Sequence, residues 1–145
     1  MPEIEIDVDP ILHITTDAIG KPGQRVFYIQ AWQEDHTVCL LVEKVHLQSL
    51  AVGVEQFLQE LSQRFPELEQ ASAEFDEQKM HIHPPVDPLF RVGELGVAYD
   101  SDRDQLILVA RELRSDDRPT EDLRVVRFWC TRSQLRAMSR WGLEV

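Results

Sequence analysis

The sequence predicts an α+β fold of two βββα halves, mainly antiparallel sheet of about six strands carrying two helices. Three observations predict it. Three strand-like runs followed by a helical period occur over 11–65 and again over 89–145. Glycine-marked boxes open strand runs in both halves, Gly20-Lys21-Pro22-Gly23-Gln24-Arg25-Val26-Phe27-Tyr28-Ile29-Gln30-Ala31 in one and Phe90-Arg91-Val92-Gly93 in the other. The inner strands are apolar on both sides, and such strands are normally covered on both sides. At 145 residues, 43% hydrophobic and 28% charged, the chain suits one domain, 1–145, that buries a core of its own. An acidic, proline-containing connector over 66–88 joins the halves.

The elements follow in order. Ile11 to Ile19 reads as a first strand, stopped at Gly20-Lys21-Pro22-Gly23, where glycine supplies positive φ and proline fixes φ. Gln24 to Trp32 is the second strand, with Phe27, Ile29 and Ala31 on one face and Val26, Tyr28 and Trp32 on the other. A polar loop, Gln33 to His36, leads to a third strand over Thr37 to Val45, rich in β-branched residues. From about His46 the period changes: Leu47, Leu50, Val54, Phe57 and Leu61 mark an amphipathic helix that Pro66 stops. Gly53 inside it costs roughly 1 kcal/mol against alanine, so a close helix-to-sheet approach is expected there. The connector carries Glu67, Glu69, Glu74, Asp76 and Glu77 before Pro84-Pro85 and Pro88, with one short helical turn expected. A loop of that length is uncommon in a compact domain, so it is expected to be mobile or functional.

The second half repeats the plan. Leu89 to Tyr99 is a strand, Asp100 to Asp104 a turn, Gln105 to Leu113 the next strand. A polar loop over Arg114 to Glu121 precedes a third strand, Asp122 to Cys130. Thr131 or Ser133 then caps a terminal helix from about Arg132. Each helix is expected on an outer face, and either a sandwich of the halves or a homodimer is expected to cover what remains open.

Charge is unevenly placed. The chain has 15 Lys+Arg against 26 Asp+Glu, net −11, and residues 1–90 hold 5 basic and 16 acidic groups. Residues 91–145 hold 10 of each, every basic one an arginine, which binds planar anions in a way lysine does not. The negative total disfavours nucleic acid, whose binding rests on phosphate neutralisation. No apolar run nears the ~18 residues of a membrane span, and the acidic N-terminus has no secretory pattern. Cys39 and Cys130 lie far apart inside apolar runs, which points to free thiols and a cytoplasmic protein.

Few constellations carry chemistry. Asp100, Asp102 and Asp104 alternate like the start of a calcium loop, but Gln105 stands at the turn-glycine position and Arg111 at that of the bidentate glutamate. His81 and His83 share one side of an extended segment, where zinc or copper would still need further ligands. Cys39 follows His36 by three residues, which in a strand places them on opposite faces. No Gly-x-Ser-x-Gly or phosphate-cradling glycine loop is present. Arg132, Arg136 and Arg140, four apart, form one stripe of the terminal helix, opposite Leu135 and Met138.

Gly20-x-Pro22-Gly23-Gln24-Arg25-x-Phe27-x-x-Gln30-Ala31, Glu43-Lys44 and Phe90-Arg91-Val92-Gly93 with the following Asp100 resemble an uncharacterised bacterial family catalogued as domain of unknown function 3090. The resemblance covers nearly the whole chain. It implies a C-terminal Cys-x-x-Cys tail like a zinc ribbon; this chain stops at Val145 without one, so no cofactor is expected here and zinc only in such a tail. The family's genes often stand beside histidine-phosphatase-like and lipid-kinase-like genes, which implies a regulatory or adaptor role.

The expected function is a non-enzymatic cytosolic interaction or adaptor module, working through a protein partner or as a homodimer and away from membranes. Its expected surface comprises Gln24, Arg25, Glu43, Arg91, Arg132, Arg136 and Arg140. One alternative is a small-molecule or phosphate-handling enzyme with Arg25, Glu43 and Arg91 converging in a cleft. Another is a metal-binding protein acting through His81 and His83.

Overall fold

The computed structural model of the protein describes residues 3–115 and 122–145. Of the loop expected over Arg114 to Glu121, positions 116–121 lie outside the described residues, as do Met1 and Pro2 at the expected acidic N-terminus. The described elements run β1 (Glu3–Val8), β2 (His13–Ile19), β3 (Val26–Trp32), β4 (Thr37–Val42), α1 (Lys44–Arg64), a 3-10 turn (Glu77–Lys79), β5 (Val92–Asp100), β6 (Gln105–Glu112), β7 (Leu123–Cys130) and α2 (Arg132–Trp141). Two sheets result, a three-stranded one ordered β2-β3-β4 and a four-stranded one ordered β1-β7-β6-β5. The α+β class and both βββα halves are present. The strand outside that plan is β1, which pairs parallel with β7, Ile6 opposite Val126.

Both sheets turn one face to a common core. Ile14, Ile29, Leu40, Leu106, Leu108 and Phe128 fill it from the strands; Leu47, Val54, Leu135 and Met138 fill it from the helices. The expectation of one helix on each outer face is corrected here. Helix α2 touches β2 of one sheet and β6 and β7 of the other, while α1 packs on β5 and α2. One side of α2 is buried because it lies against both layers, at Leu135, Met138, Ser139 and Trp141. Thr131 caps it, its hydroxyl accepting from the Gln134 N–H at 3.0 Å while Gln134 Oε1 accepts from the Thr131 N–H at 2.8 Å. Ser133 accepts instead from the Ser72 N–H at 2.9 Å, which ties the connector to the helix.

The connector is the cover of the second face of the β2-β3-β4 sheet. On that face His13, Thr15 and Asp17 stand opposite Trp32, Gln30 and Tyr28. Thr15 Oγ1 donates to Met80 O at 2.6 Å. The Asp17 carboxylate accepts from the Ile82 N–H at 3.1 Å and lies 3.0 Å from His81 Nδ1. Gln30 donates to His83 O at 3.0 Å and accepts from the His83 N–H at 2.9 Å, as one strand would for another. Past the prolines the chain falls in beside β4: Leu89 N–H donates to Cys39 O at 2.8 Å and Leu41 N–H to Phe90 O at 3.0 Å. Two-sided burial of β3 is thus met by the common core on one side and by this strap on the other.

At Arg91 the chain crosses from one sheet to the other. Arg91 O accepts from the Leu113 N–H at 2.7 Å, and an irregularity between Val92 and Glu94 leaves Gly93 outside the β5–β6 register. A Cβ at Gly93 would lie 2.9 Å from Leu113 Cα, so the crossing needs a residue without one. Gly53 is different. A Cβ there would meet nothing within 4 Å, so the close helix-to-sheet approach expected at this position is absent. Gly53 instead borders an open groove of about 260 Å³ between α1 and β5. Gly53→Ala is therefore expected to raise stability by about 1 kcal/mol, since it restores helix propensity without a clash. Denaturant titration checks this: an unchanged or lower midpoint would mean that the position is tighter than its geometry.

Candidate functional site

The groups able to do covalent or acid–base chemistry are committed internally. Burial pushes the Cys130 thiol up to about 12 and the Cys39 thiol up to about 11, values at which neither is a nucleophile near neutrality. Tyr99 is pushed up to about 12, first by burial and then by the Asp104 carboxylate to which its hydroxyl donates at 2.8 Å. Asp104, at φ +50°, closes the β5–β6 turn. Asp100 Oδ1 accepts from the Asp102 and Arg103 N–H groups of the same turn at 2.9 and 3.2 Å. His81 sits against Asp17 and the Trp141 ring, whereas His83 stacks edge-on to Trp32. Among the described residues no group of three or more His, Cys, Asp or Glu is placed to hold a metal ion.

The arginine stripe of α2 lies on one side of the helix, but its partners come from the same chain. Arg132 forms a two-pronged pair with Asp104 (2.8 and 3.1 Å) and donates to Glu69 O at 2.6 Å. Arg136 does the same with Glu55 (2.8 Å twice) and donates to Ala71 O at 2.5 Å. Their side chains are only 14% and 15% exposed, against 49% for Arg140, which reaches Glu55 at 3.6 Å. These guanidiniums hold Asp104 and Glu55 below the usual carboxylate range. Arg132 and Arg136 also line a cavity of about 490 Å³ between α1, α2 and the start of the connector. Their forks are occupied by Asp104 and Glu55, which fastens α2 to the β5–β6 turn and to α1.

Unpaired positive charge gathers elsewhere, at the β2–β3 turn. Gly20 and Gly23 adopt φ +113° and +87°, and the Gln24 N–H donates to Lys21 O at 2.9 Å, closing the turn. Phe27 pairs with Val42; two residues further out, that register brings Arg25 beside Lys44, the first residue of α1. Pro22, Gly23, Arg25, Phe27 and Lys44 line a concavity of about 360 Å³. Lys21 belongs to the same turn, and all three cations are exposed. None of the three has a carboxylate partner among the described residues, whereas Arg91, Arg103, Arg111, Arg124, Arg127, Arg132, Arg136 and Arg140 each reach one.

The neighbouring acid is neutralised. Glu43 Oε1 lies 2.9 Å from Arg91 Nη1, which joins the start of α1 to the sheet crossing. His46 reinforces the joint: its Nδ1 accepts from the Glu43 N–H at 3.1 Å, and its Nε2 lies 3.2 Å from Gly93 O. Of the residues proposed from sequence, Glu43 and Arg91 therefore meet each other. Arg25 lines the concavity, and Gln24, Glu43 and Arg91 do not. Sequence reasoning missed Lys21 and Lys44. Residues 1–90 contain five basic groups, and three of them, Lys21, Arg25 and Lys44, sit at this site, a concentration that only the β3–β4 register reveals.

No helix among the described residues is long and apolar enough to cross a membrane. A family model described as "Protein of unknown function (DUF3090)" matches residues 7–145. No curated protein and no solved structure matches the chain.

Proposed function

The chain belongs to the DUF3090 family, and from that premise we propose that it is a non-enzymatic binding module for an anionic partner. The observation that carries this reading is Arg25 and Lys44, which line one concavity and have no carboxylate partner among the described residues, with Lys21 on the same turn, in a chain of net charge −11. Arg25 and Lys44, exposed like charges lining one concavity, repel one another. A bound anion relieves that repulsion, and the α1 N-terminus beside it adds a partial positive charge. Most other arginines lack this availability because carboxylates of the same chain occupy them. Buried, unpaired Cys39 and Cys130 suit a protein of the reducing cytoplasm.

Reversal of charge tests the reading. With Arg25→Glu and Lys44→Glu together, an acidic partner or a carboxylate-rich peptide is expected to lose at least tenfold in affinity, while the unfolding midpoint changes little because both side chains are exposed. Capture at wild-type strength by the doubly reversed protein would remove the rim from the function.

A further inference from the structure

We infer that the concavity behind the β2–β3 turn takes a phosphate monoester as its dianion, an inference that rests on the binding-module reading above and specifies its ligand. The charge count decides the ligand class. Arg25 and Lys44 both line the concavity, and Glu43, which precedes Lys44 in sequence, is engaged by Arg91 at 2.9 Å. A single carboxylate would neutralise one of the two cations and leave the other unpaired. A phosphate monoester carries ~1.5 to 2 negative charges near pH 7 and three acceptor oxygens. It can engage the planar fork of Arg25 and the point charge of Lys44 at once.

The rest of the lining agrees with an ester in preference to a long polyanion. Pro22 and the Phe27 ring give the concavity an apolar wall, which suits the carbon body of a monoester. An extended polyanion would run past the rim onto a surface whose charge is strongly negative overall, net −11 for the chain. The Gly20–Gly23 turn sets the outer lip, and its backbone conformation is fixed by the two positive φ angles.

Phenyl phosphate and phenyl sulfate, nearly isosteric but dianionic and monoanionic, separate the possibilities by calorimetry on the full chain. At pH 7.5 phenyl phosphate is expected to bind at least about fivefold more tightly than phenyl sulfate. At pH 5.5, below a second phosphate pKa of about 6, the gap is expected to shrink to about twofold. The charged groups around the site are Lys21, Arg25, Lys44 and the Glu43–Arg91 pair, with His46 behind them. Arg25→Gln and Lys44→Gln are each expected to weaken phenyl phosphate about tenfold and to leave the unfolding midpoint in place. Equal affinity for the two ligands at pH 7.5, or binding unchanged in both variants, would overturn the inference. If a glutamate-rich peptide still binds in a manner abolished by Arg25→Glu with Lys44→Glu while phenyl phosphate does not bind, this inference fails and the binding-module reading stands. If neither ligand binds, both fail.

Discussion

Gln30→Met is expected to destabilise the protein by about 2–4 kcal/mol and to open the strap over 81–91 ahead of the rest of the fold. The side chain is wholly buried in the middle strand of the smaller sheet. Its amide both donates to and accepts from the His83 peptide group, at 3.0 and 2.9 Å. Methionine has nearly the same length and adds no cavity, so the change isolates the polar contact. It leaves the part-buried N–H and C=O of His83 without their partners, each at a cost in the lower part of about 1–3 kcal/mol. Thr15 and Asp17 still hold Met80, His81 and Ile82, so the strap is not released entirely. Amide exchange should accelerate most at His83 and Leu89, with β6 and β7 tracking the smaller loss of global stability. Uniform acceleration across both sheets would mean that the strap is not a separately opening unit.

That strap also marks where the sequence stopped being readable. β-branched and apolar runs bounded by turn residues, and the 3.6 period of the helices, made β2 to α1 and β5 to α2 legible. The connector has neither period, since it makes its hydrogen bonds one at a time with side chains of the sheet below. The available signal lay in the strands: Thr15 and Gln30 are wholly buried polar residues in the middle of β2 and β3, and a buried polar side chain needs a partner. Strand β1 had its own signal, because Ile4, Ile6 and Val8 alternate with Glu5 and Asp7. The acidic character of that stretch masked the alternation. At the candidate site the position of Arg25 was legible as part of a turn. Its neighbour Lys44 was not, because nineteen residues separate them and only the β3–β4 ladder brings them together. The partners of the α2 arginines within the chain were illegible for the converse reason. Spacing of four places them on one stripe but says nothing of Glu55, Asp104 and the connector carbonyls that meet them.

The second large effect is expected at Arg136, where one side chain fastens three segments. It pairs with Glu55 of α1 through two bonds of 2.8 Å and donates to Ala71 O of the connector, while its own helix lies against both sheets. Arg136→Met keeps the aliphatic stem and removes the charge. A fully buried pair broken from one side costs about 3–5 kcal/mol. Here Glu55 is 37% exposed, so water recovers part of that, and about 2 kcal/mol is expected. The pH dependence gives an independent readout. Hydrogen bonding from Arg136, more than charge alone, holds the folded Glu55 carboxyl below its ordinary 4.5. The folded state therefore binds protons less readily than the unfolded chain. Its stabilisation is fully present above about pH 4.5 and is lost as the pH falls toward the depressed folded value. Asp104, held down by Arg132, and Asp7, held down by Arg127 and Trp129, add slopes of the same sign beginning near 3.8. Denaturant titrations between pH 7 and pH 3 should show the wild type losing stability on acidification and Arg136→Met losing less, with the two curves converging at the acid end. A constant offset between the curves at every pH would show that Arg136 contributes through packing and its bond to Ala71 O and that its pair with Glu55 adds nothing to stability.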